Sequence, residues 1–166
     1  MIIQKKVCLL GDFAVGKTSL VRRFVEGRFD DKYLSTVGVK ISRKSLARDG
    51  HQLNLLIWDL AGGEEFMRYE TSYLRGATGA LIVCDLTRPE TLAKAQQYAA
   101  EMRRVNPAAA CVLVANKVDL TGLRAITDQE LKAASALLNA PYLVTSAKSG
   151  ANVPAAFDRL ADAVAM

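Results

Sequence analysis

Gly11-Asp12-Phe13-Ala14-Val15-Gly16-Lys17-Thr18 reads G-x-x-x-x-G-K-[ST], a spacing that cradles phosphate. The two glycines let the backbone turn its N–H groups around phosphate oxygens. A helix beginning just beyond adds a favourable field for an anion. Lys17 then reaches the β- and γ-phosphates, the Thr18 hydroxyl binds Mg2+, and Ser19 completes this segment of nucleotide contacts. The motif implies a nucleoside triphosphate without naming the base.

Three later segments narrow the choice. Asp59-Leu60-Ala61-Gly62 is D-x-x-G. Asp59 can hold Mg2+ through a water, and the Gly62 N–H is free to approach a γ-phosphate. Asn116-Lys117-Val118-Asp119 is N-K-x-D. A carboxylate at Asp119 can accept from guanine N1–H and its exocyclic amine. Adenine lacks that donor pair, so the wrong base leaves buried polar groups unpaired. The stem of Lys117 can cover the base plane. In Thr145-Ser146-Ala147-Lys148 a backbone N–H can meet guanine O6. The polar stretch Phe29 to Gly38 contains Tyr33 and Thr36. Thr36 can bind Mg2+ while its N–H meets the γ-phosphate, a contact that exists only with a triphosphate, so this loop orders with GTP and loosens with GDP. Tyr33 is counted with the nucleotide contacts. Phe29 either stacks on the guanine edge or staples the core.

These loops need elements to aim them. Apolar runs at Ile3 to Leu10, Gly79 to Asp85, Ala109 to Ala115 and Tyr142 to Val144 read as strands. Val39 to Arg48 and Gln52 to Asp59 flank Asp49-Gly50, a hairpin signal. Helices are expected over Lys17 to Glu26, over Glu90 to Val105, from the capping box Thr127-Asp128-Gln129-Glu130 to about Leu138, and over Val153 to Val164. Alternating strands and helices predict an α/β domain spanning 1–166: six strands, mostly parallel, one antiparallel edge, helices on both faces. In such sheets ligands sit beyond the carboxyl ends of the strands, and every motif above follows a strand.

Composition excludes other classes. Of 166 residues 51% are hydrophobic and 23% charged, which is globular. The longest apolar run, Ala108 to Ala115, is far shorter than the roughly 18 residues of a membrane span. Met1 to Lys6 shows no signal-peptide pattern, so the cytosol is the expected compartment. The net charge of +5 is scattered, without basic runs interleaved with aromatics, so no nucleic-acid partner is expected. Cys8, Cys84 and Cys111 each lie in an apolar run and read as buried thiols, neither disulfides nor zinc ligands. His51, after Asp49-Gly50, reads as exposed and non-catalytic.

With all five motifs in order, the chain resembles a Ras-superfamily small GTPase, and within it the Rab branch. The Rab-like stretches are Gly11 to Thr18, Tyr33 to Val39, Ile57 to Gly62 and Tyr73 to Ala77. The resemblance implies a P-loop GTPase domain that binds GDP or GTP with Mg2+. It also implies effectors meeting residues near 30–40 and 62–75, an exchange factor and a GTPase-activating protein. Lys17, Thr36, Gly62 and Gly63 would surround the reacting phosphate.

Three departures qualify the carry-over. Gly63 stands where the family usually has a glutamine that orients the attacking water, so slow intrinsic hydrolysis is expected unless Glu64, Glu65 or a partner supplies the group. Phe13 replaces a small residue beside the γ-phosphate. Its ring either hinders an arginine finger, worth roughly 10³–10⁵ in rate, or points away. The C-terminus, Leu160 to Met166, has no cysteine for prenylation, and Met1-Ile2 does not allow myristoylation. No lipid anchor is therefore expected in this chain, which fits a removed tail, a prokaryotic small GTPase or a module of a longer protein. The alternative to a hydrolysing switch is a GTP-loaded, non-hydrolysing scaffold.

Overall fold

The computed structural model describes residues 1–29, 39–62 and 70–165. Its six strands are β1 (Ile2–Gly11), β2 (Val39–Arg48), β3 (His51–Leu60), β4 (Ala77–Asp85), β5 (Ala110–Asn116) and β6 (Tyr142–Val144). They form one sheet in the order β2-β3-β1-β4-β5-β6. β3 and β4 flank β1 in parallel, β5 and β6 continue in parallel, and β2 alone runs antiparallel, on the edge. The expected architecture is therefore observed, with strand ends moved by one or two residues.

The hydrophobic pattern explains the order. Val7 to Leu10 and Ala80 to Cys84 are buried on both faces, as central parallel strands must be. β3 alternates, burying Leu53, Leu55 and Ile57, and its partner β2 buries none of its residues. Among the described residues four α-helices cover the sheet: α1 (Lys17–Glu26), α2 (Glu90–Val105), α3 (Asp128–Leu138) and α4 (Val153–Val164). Leu20 and Val21 of α1 join Phe157 and Leu160 of α4 in the core on one face. Ala95 and Met102 of α2 join Leu131 and Ala134 of α3 on the other. The expected capping box is present: the Thr127 side chain accepts from the Glu130 N–H and the Glu130 side chain accepts from the Thr127 N–H.

This topology fixes where a ligand can sit. From β3 on one side of β1 the chain crosses to β4 on the other. The carboxyl end of β1 is thus a point where connections diverge, the usual position of a crevice in an open α/β sheet.

All three cysteines are buried, and burial pushes the Cys8 and Cys84 thiols up to about 12. His51 corrects the expectation of exposure. It is half-buried as the first residue of β3, paired with Arg48 across the hairpin, and its Nδ1 lies 3.0 Å from the Asp49 carbonyl.

Candidate functional site

Gly11 ends β1, and Lys17 opens α1 five residues beyond Asp12. Gly16 caps that helix with φ 101°, where a side chain would be strained and would run into the Asn116 amide. The Lys17 ammonium folds back over the loop, donating to the Gly11 carbonyl at 2.9 Å and the Asp12 carbonyl at 3.1 Å. Only 6% of Lys17 is exposed. Burial pulls its pKa down to about 8, opposed by the charges of Asp59 and then Asp12. A buried cation held on two backbone carbonyls at the mouth of a helix N-terminus is costly alone and suits an anion.

Thr18 donates its hydroxyl to Asp59 Oδ2 at 2.6 Å, and Asp59 is 1% exposed. This joins the end of β3 to the start of α1. A buried carboxylate beside a hydroxyl offers hard oxygen donors, the chemistry that fits Mg2+ completed by phosphates and waters. Gly62 is packed against the loop. A Cβ there would lie 2.5 Å from the Gly11 carbonyl oxygen, 2.7 Å from the Asp12 carbonyl carbon and 2.9 Å from the Phe13 nitrogen. Only glycine permits that approach. Phe13 is 56% exposed. Asp12 accepts from the Phe13 N–H at 2.8 Å.

The other motifs meet the same loop. Asn116, at the end of β5 and 2% exposed, donates to the Val15 carbonyl at 3.1 Å. Its Oδ1 accepts from the Thr145 hydroxyl at 3.0 Å and the Ala147 N–H at 3.2 Å. Asp119 accepts from Ser146 Oγ at 2.8 Å. Lys117, with φ 73°, donates to the Ala14 carbonyl at 2.9 Å and pairs with Asp85 at 2.8 Å. Lys148 is exposed, but its carbonyl, like that of Ala147, accepts from Arg23. Ser19, half-buried, lies in the first turn of α1. Phe29 is half-buried against the α1–α4 core.

Gly11 to Ser19, Asp59, Gly62, Asn116 to Asp119 and Thr145 to Lys148 therefore share the carboxyl edge of the sheet. Tyr33, Thr36 and Gly63 lie outside the described residues, as do Glu64 and Glu65. Three residues with direct contacts to this site were missed by sequence reasoning. Arg23 braces the Ala147–Lys148 carbonyls from α1. Asp85 closes β4 and pairs with Lys117, and Arg88, three residues on, reaches the phosphate loop at the Phe13 carbonyl. The available signal was Asp85 itself, a charge closing an otherwise apolar strand.

A family model described as Ras family matches residues 6–166. Among curated proteins the chain is 37% identical over 157 residues to Ras-related protein Rab-1C of Dictyostelium discoideum, covering 94% of this chain and 78% of that one. It is 38% identical to Ras-related protein Rab-22A of Mus musculus, covering 89% of this chain and 77% of the relative. It is 37% identical to GTP-binding protein YPTM2 of Zea mays, covering 96% and 79%.

Proposed function

Because the chain belongs to the Ras family and is a Rab-like small GTPase within it, we propose that it cycles between GDP and GTP with Mg2+ and hydrolyses GTP slowly. The observation that carries this reading is Asn116. One buried amide joins the phosphate loop, through the Val15 carbonyl, to the Thr145–Ala147 segment. Phosphate motif and base motif are thereby one site.

In this reading Lys17 and the N–H groups of Gly11 to Thr18 bind the nucleotide phosphates. Asp119 accepts from guanine, with Ser146 fixing its carboxylate. Thr18, Asp59 and Thr36 hold Mg2+, which supplies charge neutralisation at the phosphates. Gly62 presents its N–H to the γ-phosphate from a position where a side chain has no room. The segments near 30–40 and 62–75 respond to that phosphate and meet effectors, an exchange factor and a GTPase-activating protein. The work is positioning and electrostatics, in the cytosol.

Water positioning is the weak step. Glycine at 63 has no side chain with which to orient an attacking water, and Glu64, Glu65 or a partner must supply one. Single-turnover hydrolysis of Mg2+-GTP by the wild type beside Gly63→Gln tests this. The expected result is a slow wild type and a variant faster by about 10²-fold, the lower end of what a positioned group contributes. A fast wild type assigns the water to another residue. If both are inert while GTP stays tightly bound, the non-hydrolysing scaffold becomes the better reading.

A further inference from the structure

β4 ends on a charge that the proposed function does not use. Leu81, Ile82, Val83 and Cys84 are fully buried, and Asp85 follows at 0% exposure. Its Oδ1 accepts from the N–H and hydroxyl of Thr87 at 2.9 and 2.7 Å. Its Oδ2 faces two cations, Lys117 Nζ at 2.8 Å and Arg88 Nη1 at 4.0 Å. Those two atoms donate to consecutive carbonyls of the phosphate loop: Lys117 to Ala14 at 2.9 Å and Arg88 to Phe13 at 2.7 Å. Arg88 also lies 3.8 Å from the Asp12 carboxylate and 3.2 Å from Glu90.

The peptide bond gives this arrangement a consequence. The Phe13 carbonyl shares its amide with the Ala14 N–H, and the Ala14 carbonyl shares its amide with the Val15 N–H. A cation on the oxygen polarises the amide and strengthens its N–H as a donor, since linked hydrogen bonds reinforce one another at low dielectric. The same bonds restrain Ala14, whose φ of 61° is uncommon for a residue with a Cβ. We propose that Asp85 and Arg88 are positioning residues for the nucleotide's terminal phosphates: Asp85 holds Lys117 and Arg88 on successive loop carbonyls, which fixes and polarises the amides facing those phosphates. This rests on the guanine-nucleotide reading above.

The test compares release of a fluorescent GDP with equilibrium affinity for GMP, which keeps the base and lacks the β-phosphate. Losing a charge-assisted bond in Arg88→Ala is expected to speed GDP release about tenfold and to leave GMP affinity within about twofold. Arg88→Lys, which keeps a cation, is expected to restore most of the difference. Asp85→Asn should exceed Arg88→Ala, because both cations lose their anchor. Should that buried variant fail to fold, Arg88→Ala decides alone, since Arg88 is one-third exposed in its side chain. Unchanged GDP release in Arg88→Ala overturns the proposal, and so does equal weakening of GDP and GMP, which marks ordinary loss of structure. A wild type that binds GDP no better than GMP overturns the guanine-nucleotide reading itself.

Discussion

The two ends of the site are built from different materials. At the phosphate end, cations lie on backbone carbonyls: Lys17 on Gly11 and Asp12, Lys117 on Ala14, Arg88 on Phe13. At the base end, neutral amides and hydroxyls dominate: Asn116 with Thr145 and Ala147, and Ser146 with Asp119. Charge gives strength without telling one nucleotide from another. A network of directed donors and acceptors discriminates, because a mismatched base leaves a polar group unsatisfied. Affinity is therefore concentrated at one end and specificity at the other. The ratio of GDP to GMP affinity separates the two, because both nucleotides share the base.

The largest effect is expected from Lys17→Ala. It removes a 94%-buried cation aimed into the phosphate loop, a charge-assisted interaction in a shielded place. GDP affinity by fluorescence titration should fall by about 10³-fold or more, and the GDP/GMP ratio should collapse. A loss shared equally by GMP would break the division between the ends. Next comes Asp119→Asn, which replaces an acceptor by a donor opposite guanine. GTP affinity should fall by about 100-fold, two unsatisfied bonds at roughly 1–1.5 kcal/mol each, with the GDP/GMP ratio unchanged. Competition between GTP and ATP measures the lost preference. A variant that still prefers GTP as strongly as the wild type removes Asp119 from base recognition.

What the sequence made legible follows the same division. Motifs contiguous in sequence were readable because a strand, a glycine-rich turn and a helix are local events. The mostly parallel sheet with one antiparallel edge followed from the alternation of apolar runs with helices and from the Asp49-Gly50 hairpin, whereas the order of the strands came only from the structure. Contacts that depend on distant chain segments were not readable. Arg88 reaches Phe13 across 75 positions, and Arg23 reaches Ala147 across 124. Neither residue carries a local signature, since an arginine beside a loop is ordinarily a solvated charge. His51 failed in a milder way, and Phe29, left open between the guanine edge and the core, packs against the α1–α4 core. Sequence leaves open how far a ring at the rim of an element folds inward, and both rings end up half-buried.

The smallest effect sharpens the comparison most. Thr145 is fully buried, and its hydroxyl donates to Asn116 Oδ1, which keeps the Ala147 N–H as a second donor. Thr145→Val preserves shape and removes one neutral hydrogen bond, so about 1 kcal/mol of stability should be lost. For a domain of this size that lowers the melting temperature by about 2–4 °C. GMP and GDP should weaken by the same factor, about fivefold at most, because the bond lies on the base side of Asn116. Yet the same Asn116 amide donates to the Val15 carbonyl inside the phosphate loop. If the GDP/GMP ratio moves in Thr145→Val, slackening of that one side chain has travelled from base to phosphates. The two ends are then a single cooperative unit with Asn116 as its joint, and neighbouring substitutions across it will fail to add.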